Sequence, residues 1–173
     1  MAKKVFKADL SVKGINNLKK ELMDYKDKII NEKLEELTRK ISERGVEIGK
    51  AKIGTLKAVF TGELQNSLHV EEGDGKAVFF IVTDSEHAAF VEFGTGQMGQ
   101  ESPYPYPFPE GVEWNYNTGQ TIFEISPGKY GWFYKRDGKI YFTQGMASRP
   151  FMYETAVDLL EEIPKIAKEV FGK

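Results

Sequence analysis

Acidic, hydroxyl and imidazole side chains lie together in one short segment, Asp84-Ser-Glu-His87. Two carboxylates and an imidazole could bind a metal ion, but a single turn rarely presents all three to the same ion, so a solvated helix start is the better interpretation. Ser85 and His87 are also too close in sequence for a Ser–His–acid triad, which distant segments normally assemble. We therefore expect neither a metal site nor a catalytic triad here.

The glycine-rich segment Gly94-Thr-Gly-Gln-Met-Gly99 is the second motif that could bind a ligand. No lysine follows it at P-loop spacing, and no strand–helix context supports a dinucleotide fingerprint, so we interpret it as a tight turn. The chain has no cysteine, which excludes disulfides, thiolate zinc sites and cysteine nucleophiles, and it has only two histidines. The residues therefore offer no convincing catalytic or metal-binding constellation.

Aromatic side chains are unusually dense in residues 103–142, which hold 12 of the 22 aromatics together with interleaved lysine and arginine. Two interpretations stay open. These rings could pack in the core or at a protein–protein interface, or they could stack single-stranded nucleic acid or a glycan. Four prolines alternate with aromatics in residues 102–110, which excludes a helix or a central strand and predicts an extended strap.

The charge is distributed unevenly along the chain. Residues 1–60 carry 15 Lys+Arg and 9 Asp+Glu, a net +6, whereas residues 61–173 carry 9 and 17, a net −8. The chain is either a solvated basic helix followed by an acidic globule, or it has oppositely charged regions that meet between neighbouring copies. No apolar run approaches the ~20 residues that span a bilayer, and Met1–Lys7 does not resemble a signal peptide. We expect a cytoplasm-like compartment, unless the protein leaves as part of something larger.

Apolar periodicity predicts a long helix near the N-terminus. Residues 4–12 alternate loosely and predict a short strand that ends at Gly14. From Ile15 to Lys50, apolar residues recur at spacings of three and four, which would give a helix of about 54 Å. Gly45 and Gly49 weaken its far end. The helix should therefore bend there or project beyond its globule, and its apolar stripe should cover its own sheet or another subunit.

Short elements follow the long helix. Residues 61–68 predict a helical turn with Thr61 as its N-cap. Residues 68–70 and 76–83 predict a hairpin, and the return strand reads as central in a sheet covered on both faces. Residues 84–93 predict a short helix, capped by Asp84 or Ser85, that Gly94 ends.

The last third of the chain predicts strands and then a helix. A strand is expected at residues 121–125, and a hairpin is expected around Asp137-Gly138. The final helix begins near Pro150, with an apolar stripe at Met152, Ala156, Leu159, Ile163, Ile166 and Val170, and Pro164 should kink or split it. We expect residues 1–173 to form one α+β domain, in which a small, mostly antiparallel sheet is flanked by a long N-terminal helix and a C-terminal helix.

Three segments together resemble one family of tailed-phage neck proteins. The segments are Thr61-Gly-Glu-Leu-Gln-Asn-Ser-Leu68, Ala88-Ala-Phe-Val-Glu-Phe-Gly-Thr-Gly96 and Gly145-Met-Ala-Ser-Arg-Pro-Phe-Met-Tyr-Glu-Thr-Ala156. Their order and spacing, from about Ile15 to the C-terminus, are similar to those of the gene-product-ten-like head–tail joining, or tail-completion, proteins of siphophages and prophages. Residues 102–142 are longer than the family's minimal pattern, so we treat them as a Pro/aromatic-rich insertion.

The resemblance implies a non-enzymatic structural protein of the virion, assembled in the cytoplasm of a bacterial host. Copies would form a ring between the head connector and the tail tube. The implied partners are other copies of the chain, a connector or head-closure protein, and a tail-tube or terminator protein. Genomic DNA would pass through without sequence-specific contact, and no membrane or cofactor would take part. The net charge of −8 on residues 61–173 suggests in addition an acidic inner wall to which DNA would not stick.

The matching segments supply the candidate structural or interface residues. Gly94 and Gly96 permit a sharp chain reversal, and Glu92 and Arg149 are candidates for an ion pair that fixes the last helix against it. Phe93 and Phe151 would be core anchors beside that pair. The full set is Thr61, Gly62, Leu64, Ser67, Glu92, Phe93, Gly94, Thr95, Gly96, Arg149, Pro150 and Phe151. Whether these residues form an interface or only the fold of one copy stays open.

Overall fold

The computed structural model describes residues 6–7, 11–58 and 62–172. Within these ranges the chain forms five helices and five strands, which confirms the α+β class. The strands belong to two small antiparallel sheets rather than to one. The elements are α1 Val12–Thr55, α2 Glu63–Ser67, β1 Leu68–Glu72, β2 Phe79–Thr83, α3 Ala88–Phe93, α4 Gly96–Glu101, β3 Phe123–Ser126, β4 Lys129–Arg136, β5 Lys139–Thr143 and α5 Phe151–Phe171.

Helix α1 has 44 residues and is about 66 Å long at 1.5 Å per residue. Ser11 is its N-cap, and the Ser11 side chain accepts a hydrogen bond from the Gly14 backbone N–H at 3.0 Å. The predicted strand over residues 4–12 falls mostly outside the described residues. Where it can be compared it is wrong, because Val12 and Gly14 are already helical.

Helix α1 continues through Gly45 and Gly49, both of which are buried. A Cβ atom on Gly49 would lie 3.2 Å from Leu68 and 3.3 Å from Thr155, so the two elements carrying these residues, β1 and α5, approach the α1 backbone closely. A cost of about 1 kcal/mol for glycine in a helix is offset where its absence of a side chain permits such packing. These glycines therefore mark a crossing point within a helix that continues without a break.

Helix α5 runs antiparallel to the C-terminal half of α1, and charged side chains fix the register. The pairing of Arg44 with Glu162 is bidentate; it raises the pKa of the arginine and lowers that of the carboxyl. The helix is not split at Pro164. The contacts along the register are Lys52 to Glu154 at 3.3 Å, Lys52 to Asp158 at 2.9 Å, Arg44 Nε to Glu162 Oε2 at 2.6 Å, and Lys33 Nζ to the Val170 carbonyl at 2.9 Å.

The N-terminal half of α1 extends past the end of α5. Ile15, Leu22 and Met23 are 45–56% exposed there. The ring of Phe6 packs edge-on against Tyr25 at 5.4 Å between centroids. Of the two expected outcomes, bending or projection, the helix projects, and most of its apolar stripe is left without cover from the described residues.

Strands β1 and β2 form a two-stranded hairpin in the register Leu68↔Thr83 to Glu72↔Phe79. The hairpin was predicted, but the position of its return strand was wrong, since among the described residues β2 pairs only with β1, and Phe80 is 53% exposed. One face of β2 packs on α1, where Ile81 lies against Gly45. The other face, which includes Phe80, is exposed to solvent. An apolar run on both faces therefore did not indicate a covered sheet.

The main core lies where α1, the first hairpin, α3 and α5 meet. Phe151 and Ile53 are fully buried, and Leu68 is nearly so. Ala58, Leu64 and Val91 complete this cluster. The other buried residues of this cluster lie between Ile53 and Val91, so the packing of Phe151 from α5 completes the core.

Strands β3, β4 and β5 form the second sheet, which we call the arm (residues 123–143). Asp137 and Gly138 both have positive φ, 49° and 74°, as the two-residue turn between β4 and β5 requires, so the predicted hairpin is confirmed. The predicted strand over 121–125 corresponds to β3. Within the described ranges, no helix combines the length and hydropathy needed to cross a bilayer.

Candidate assembly surfaces

Two of the segments that carried the family resemblance meet in what we call the Glu92 joint (residues 91–96 and 145–153). Thr95 and Met146 form an isolated antiparallel bridge, with hydrogen bonds of 2.9 and 3.1 Å in the two directions. The Arg149 N–H donates to the Val91 carbonyl at 2.8 Å. Segments about 50 residues apart are therefore held by backbone bonds.

Glu92 lies at the centre of the joint and is 6% exposed. Its two carboxylate oxygens accept hydrogen bonds from the N–H groups of Met152 at 2.8 Å and Tyr153 at 3.1 Å, in the first turn of α5. Burial raises the pKa of this carboxyl, and the two N–H donors oppose that shift. Burial also raises the pKa of the neighbouring Tyr104 to about 12. Glu92 therefore acts as a distant cap for the N-terminus of α5.

The expected ion pair between Glu92 and Arg149 is not present among the described side chains; the two carboxylate oxygens accept instead from backbone N–H groups. The predicted purpose, fixing the last helix against the turn, is fulfilled by helix capping. Ser148 adds to it by donating its hydroxyl hydrogen to the Glu92 carbonyl at 2.5 Å. The sequence offered no signal for a cap 60 residues away.

Gly94 and Gly96 make the reversal that the sequence predicted. Their φ values are +84° and +59°, and a Cβ on Gly94 would lie 2.8 Å from the Ser148 backbone nitrogen. A Cβ on Gly96 would lie 2.6 Å from the Gln144 carbonyl oxygen. Both conformation and space therefore require glycine. Beyond the turn, Gly96–Glu101 form α4, where the sequence indicated only a turn.

The other candidate residues are spread over three places. Phe151 and Leu64 lie in the main core, and Pro150 is the N-cap of α5. The Ser67 hydroxyl bonds that of Thr83 across the first hairpin at 2.6 Å. Gly62, with φ +77°, is the N-cap of α2 in the place expected for Thr61, which lies outside the described residues.

The strap, residues 102–110, packs with neighbouring aromatics into a ring cluster over α3 and the start of α5. Phe93, expected in the main core, joins this cluster, with its ring centroid 5.0 Å from Tyr104 and 5.1 Å from Trp114. Tyr106 stacks on Tyr153 at 3.8 Å. Trp114 donates its indole N–H to the Gly94 carbonyl at 2.8 Å. This part of the aromatic-rich region is internal packing.

The aromatics of the arm are exposed, in contrast to those of the strap. Phe123, Tyr130 and Phe133 are 46–47% exposed, and Ile140 is 73% exposed. Gln97 of α4, which the sequence did not single out, makes hydrogen bonds to the arm with both atoms of its amide. Its Nε2 donates to Glu101 and to the Gly128 carbonyl at 2.8 Å, and its Oε1 accepts from Tyr130 N–H at 2.9 Å and Gln144 at 2.7 Å.

The segment Asp84–His87 forms a turn before α3, with His87 as a helix N-cap that makes no side-chain capping bond. Across residues 6–7, 11–58 and 62–172, no three histidine or acidic side chains are grouped to hold a metal ion. Asp84 instead lies 3.6 Å from His69. The pKa of His69 is raised, chiefly by its hydrogen bond to the Ser67 carbonyl.

Comparison with known proteins bears on the first half of the chain. Residues 15–94 match a family model, HK97-gp10-like, described as "Bacteriophage HK97-gp10, putative tail-component". This segment is similar to HK97-gp10. The match confirms the gene-product-ten-like resemblance over residues 15–94. No curated protein and no solved structure matches the chain. The HK97-gp10-like segment ends at Gly94, so the strap, the arm and α5 lie beyond it.

Proposed function

We propose that this protein is a non-enzymatic structural component of the head–tail junction of a phage or prophage, where copies assemble into a ring for tail completion or head–tail joining. The observation that carries the proposal is the contrast between a closed main core and large apolar surfaces left exposed on α1, the arm and α5. Contiguous exposed apolar surface typically marks a protein–protein contact. The tail-component match gives these contacts a setting in the virion.

The partners in this proposal are neighbouring copies, a connector or head-closure protein on one side, and a tail-tube or terminator protein on the other. A ring needs a heterologous contact, in which two different surfaces of the same chain meet. The exposed helix of α1 and the exposed sheet of the arm differ in shape, as such a contact requires. Residues 1–173 act as one domain, and an acidic wall contributed by residues 61–173 lets DNA pass because like charges repel.

The experiment that tests this role is deletion of the gene from the phage or prophage. We expect filled heads and separate tails by negative-stain electron microscopy, and joined particles when the wild-type gene is supplied from a plasmid. A plasmid carrying the same gene with an early stop codon is the matched control. Normal joined particles from the deletion would exclude the role.

A second candidate function is binding of single-stranded nucleic acid or a glycan, and the cleft between α4 and the arm favours it. This open cleft of about 570 Å³ is lined by amide side chains and by the Trp132 ring. Thr118, on its wall, has a buried hydroxyl with no hydrogen-bond partner in the described part of the chain. Amides and rings are the groups that bind sugars and bases.

Binding of a labelled oligonucleotide and of labelled oligosaccharides tests this second function. If it holds, a salt-dependent mobility shift appears with the oligonucleotide, or a salt-independent one with the glycan, and Trp132→Ala together with Tyr134→Ala abolishes it. No binding of either ligand at low salt would dismiss it.

A further inference from the structure

The cleft between α4 and the arm is polar but almost uncharged. Its volume of about 570 Å³ lies in the range of pockets that hold small-molecule ligands. Among the described residues that line it, Glu101 is the only charged one, and Gln97 Nε2 donates a hydrogen bond to its carboxylate at 2.8 Å. None of these lining residues is a lysine or an arginine. Nucleic-acid sites depend on basic side chains that neutralise phosphates, so this lining favours an uncharged ligand.

Two asparagines on the cleft wall have hydrogen-bond donors available for a ligand. Asn115 Oδ1 accepts from the Asn117 N–H at 3.0 Å, and Asn117 Oδ1 accepts from the Gly119 N–H at 2.8 Å. The loop therefore fixes each side-chain oxygen, whereas neither side-chain NH₂ group makes a hydrogen bond within the described part of the chain. Both side chains are exposed and line the cleft, so their NH₂ groups can donate to oxygen atoms of a ligand.

A large ring and further polar groups complete the wall. The Trp132 ring is half-buried and packs against Gly96, where an added Cβ atom would lie 2.7 Å from Trp132 Cζ3. The side chains of Gln100 and Gln120 are exposed at the cleft. The Thr118 hydroxyl is buried and has no hydrogen-bond partner among the described residues, whereas buried hydroxyls normally have one. The wall therefore combines one positioned ring with amide and hydroxyl groups.

This combination matches the chemistry of a sugar. A pyranose has C–H groups on its faces, which pack on an aromatic ring, and hydroxyl groups around its edge, which hydrogen-bond to amides. A peptide needs pockets for its apolar side chains, and Ile122 is the only aliphatic residue on the described lining. A nucleotide base stacks on a ring as well as a sugar does, but its phosphates find no cation here.

We propose that this cleft binds a short uncharged glycan, in which one sugar stacks on Trp132 and accepts hydrogen bonds from the NH₂ groups of Asn115 and Asn117. Tyr134 follows Trp132 by two residues in β4 and therefore lies on the same face of the arm. There it stacks on Tyr141 at 5.5 Å between ring centroids, which extends the ring surface beyond the cleft. The inference rests on the second candidate function and deepens it, because it selects a glycan over nucleic acid.

Binding of labelled tetrasaccharides to the full chain tests the class of ligand. The probes are uncharged tetrasaccharides of glucose, galactose, mannose and N-acetylglucosamine. The comparison ligands are a hyaluronan tetrasaccharide, which adds carboxylates, and a single-stranded oligonucleotide. We expect at least one uncharged probe to bind by fluorescence anisotropy about tenfold or more tightly than either anionic ligand. Its affinity should not change with salt, because no charges are brought together.

A pair of asparagine variants tests the named contacts. Asn115→Asp together with Asn117→Asp keeps the oxygens that accept from the loop N–H groups but replaces both NH₂ donors with carboxylate oxygens. Affinity for the uncharged probe should fall about tenfold or more, because two hydrogen bonds are lost. The control, Asn31→Asp together with Asn66→Asp, makes the same two changes at exposed positions outside the cleft and should leave the affinity unchanged.

Variants of Trp132 test the stacked ring. Trp132→Ala should weaken binding of the uncharged probe about fivefold or more, and Trp132→Phe, which keeps a ring, should retain most of the affinity. Equal losses in the two variants contradict stacking. An affinity that the asparagine pair leaves unchanged also overturns the inference, since the glycan then lies elsewhere.

The comparison ligands separate failure of the inference from failure of the functions proposed above. If the oligonucleotide or the hyaluronan fragment binds more tightly than every uncharged probe, the inference is wrong and the second candidate function stands. If no ligand binds, both are wrong. The role at the head–tail junction is measured independently by gene deletion.

Discussion

The Glu92 joint and the arm are near neighbours in the fold but are built in opposite ways. In the joint, a buried carboxylate, two tightly enclosed glycines and a backbone bridge leave little room for change. In the arm, three strands carry several large apolar side chains that are 37–73% exposed. A three-stranded sheet normally covers at least one face. The joint therefore fixes the fold of one copy, and the arm is the region that we propose contacts a partner.

Gly94→Ala gives the largest expected effect and tests the rigidity of the joint. The new methyl group would meet the Ser148 backbone nitrogen at 2.8 Å, and the backbone at φ +84° and ψ 165° is one that alanine rarely adopts. Strain and overpacking together should lower the free energy of unfolding by about 3–5 kcal/mol. Urea denaturation measures it. Gly128→Ala is the control, since its φ of +78° is similar and nothing lies within 4 Å, so it should lose only about 1–2 kcal/mol. Equal losses would contradict close packing at Gly94.

Glu92→Gln tests whether capping of α5 stabilises the joint. The amide keeps the shape but has one acceptor oxygen for two N–H donors, so one donor is left without its partner. We expect a loss of about 2 kcal/mol in the free energy of unfolding, measured by urea denaturation. Glu86→Gln, in the exposed turn before α3, should change it by less than about 0.5 kcal/mol.

The difference in unfolding free energy between wild type and Glu92→Gln should also depend on pH, which is a smaller effect. Because burial raises the pKa of Glu92 above 4.5, the folded chain holds this proton to a higher pH than the unfolded chain does. Unfolding free energy from this group is therefore highest in acid, falls as pH rises through the folded pKa, and is level above it. The excess stability of wild type over Glu92→Gln should shrink between acid and neutral pH. A constant difference would contradict the direction of the shift.

Ile140→Ser gives the smallest expected effect on stability. It tests whether the arm is needed for assembly rather than for the fold of one copy. Since Ile140 is 73% exposed, the free energy of unfolding should change by no more than about 0.5 kcal/mol. Joined particles should nevertheless be lost when this variant complements the gene deletion, whereas Lys139→Ser should complement normally. If Ile140→Ser is stable and still yields joined particles, Ile140 of the arm is not needed for assembly.

Much of the local structure could be predicted because its causes are local. The Asp137-Gly138 turn, the short helix that ends at Gly94 and the start of α5 at Pro150 depend on residues within a few positions of one another. The sequence predicted that the start of the last helix lies against the turn at Gly94 and Gly96, and that these two glycines permit the chain reversal. Its chemistry was not, because no spacing rule connects Glu92 to N–H groups 60 residues later.

The remaining errors arise where tertiary contacts decide. Gly45 and Gly49 weaken an isolated helix, but in the fold they admit β2 and α5. The apolar return strand resembled a covered strand, yet the Phe80 side chain is 53% exposed. Gln97 holds the arm through the Gly128 carbonyl and the Tyr130 N–H, two contacts that no motif predicts. Burial of the strap and exposure of the arm could not be separated from composition, because both are rich in aromatics.

The position of Phe151 at the start of the last helix has a consequence for synthesis. This fully buried ring comes after most of the other residues around it, so the interior stays open to water until the ribosome has delivered the final helix and freed it from the exit tunnel. A chain released before α5 has been synthesised lacks both Phe151 and the helix that packs along α1. Such fragments should remain unfolded and be degraded, which makes completion of translation a checkpoint before any copy can join a larger structure.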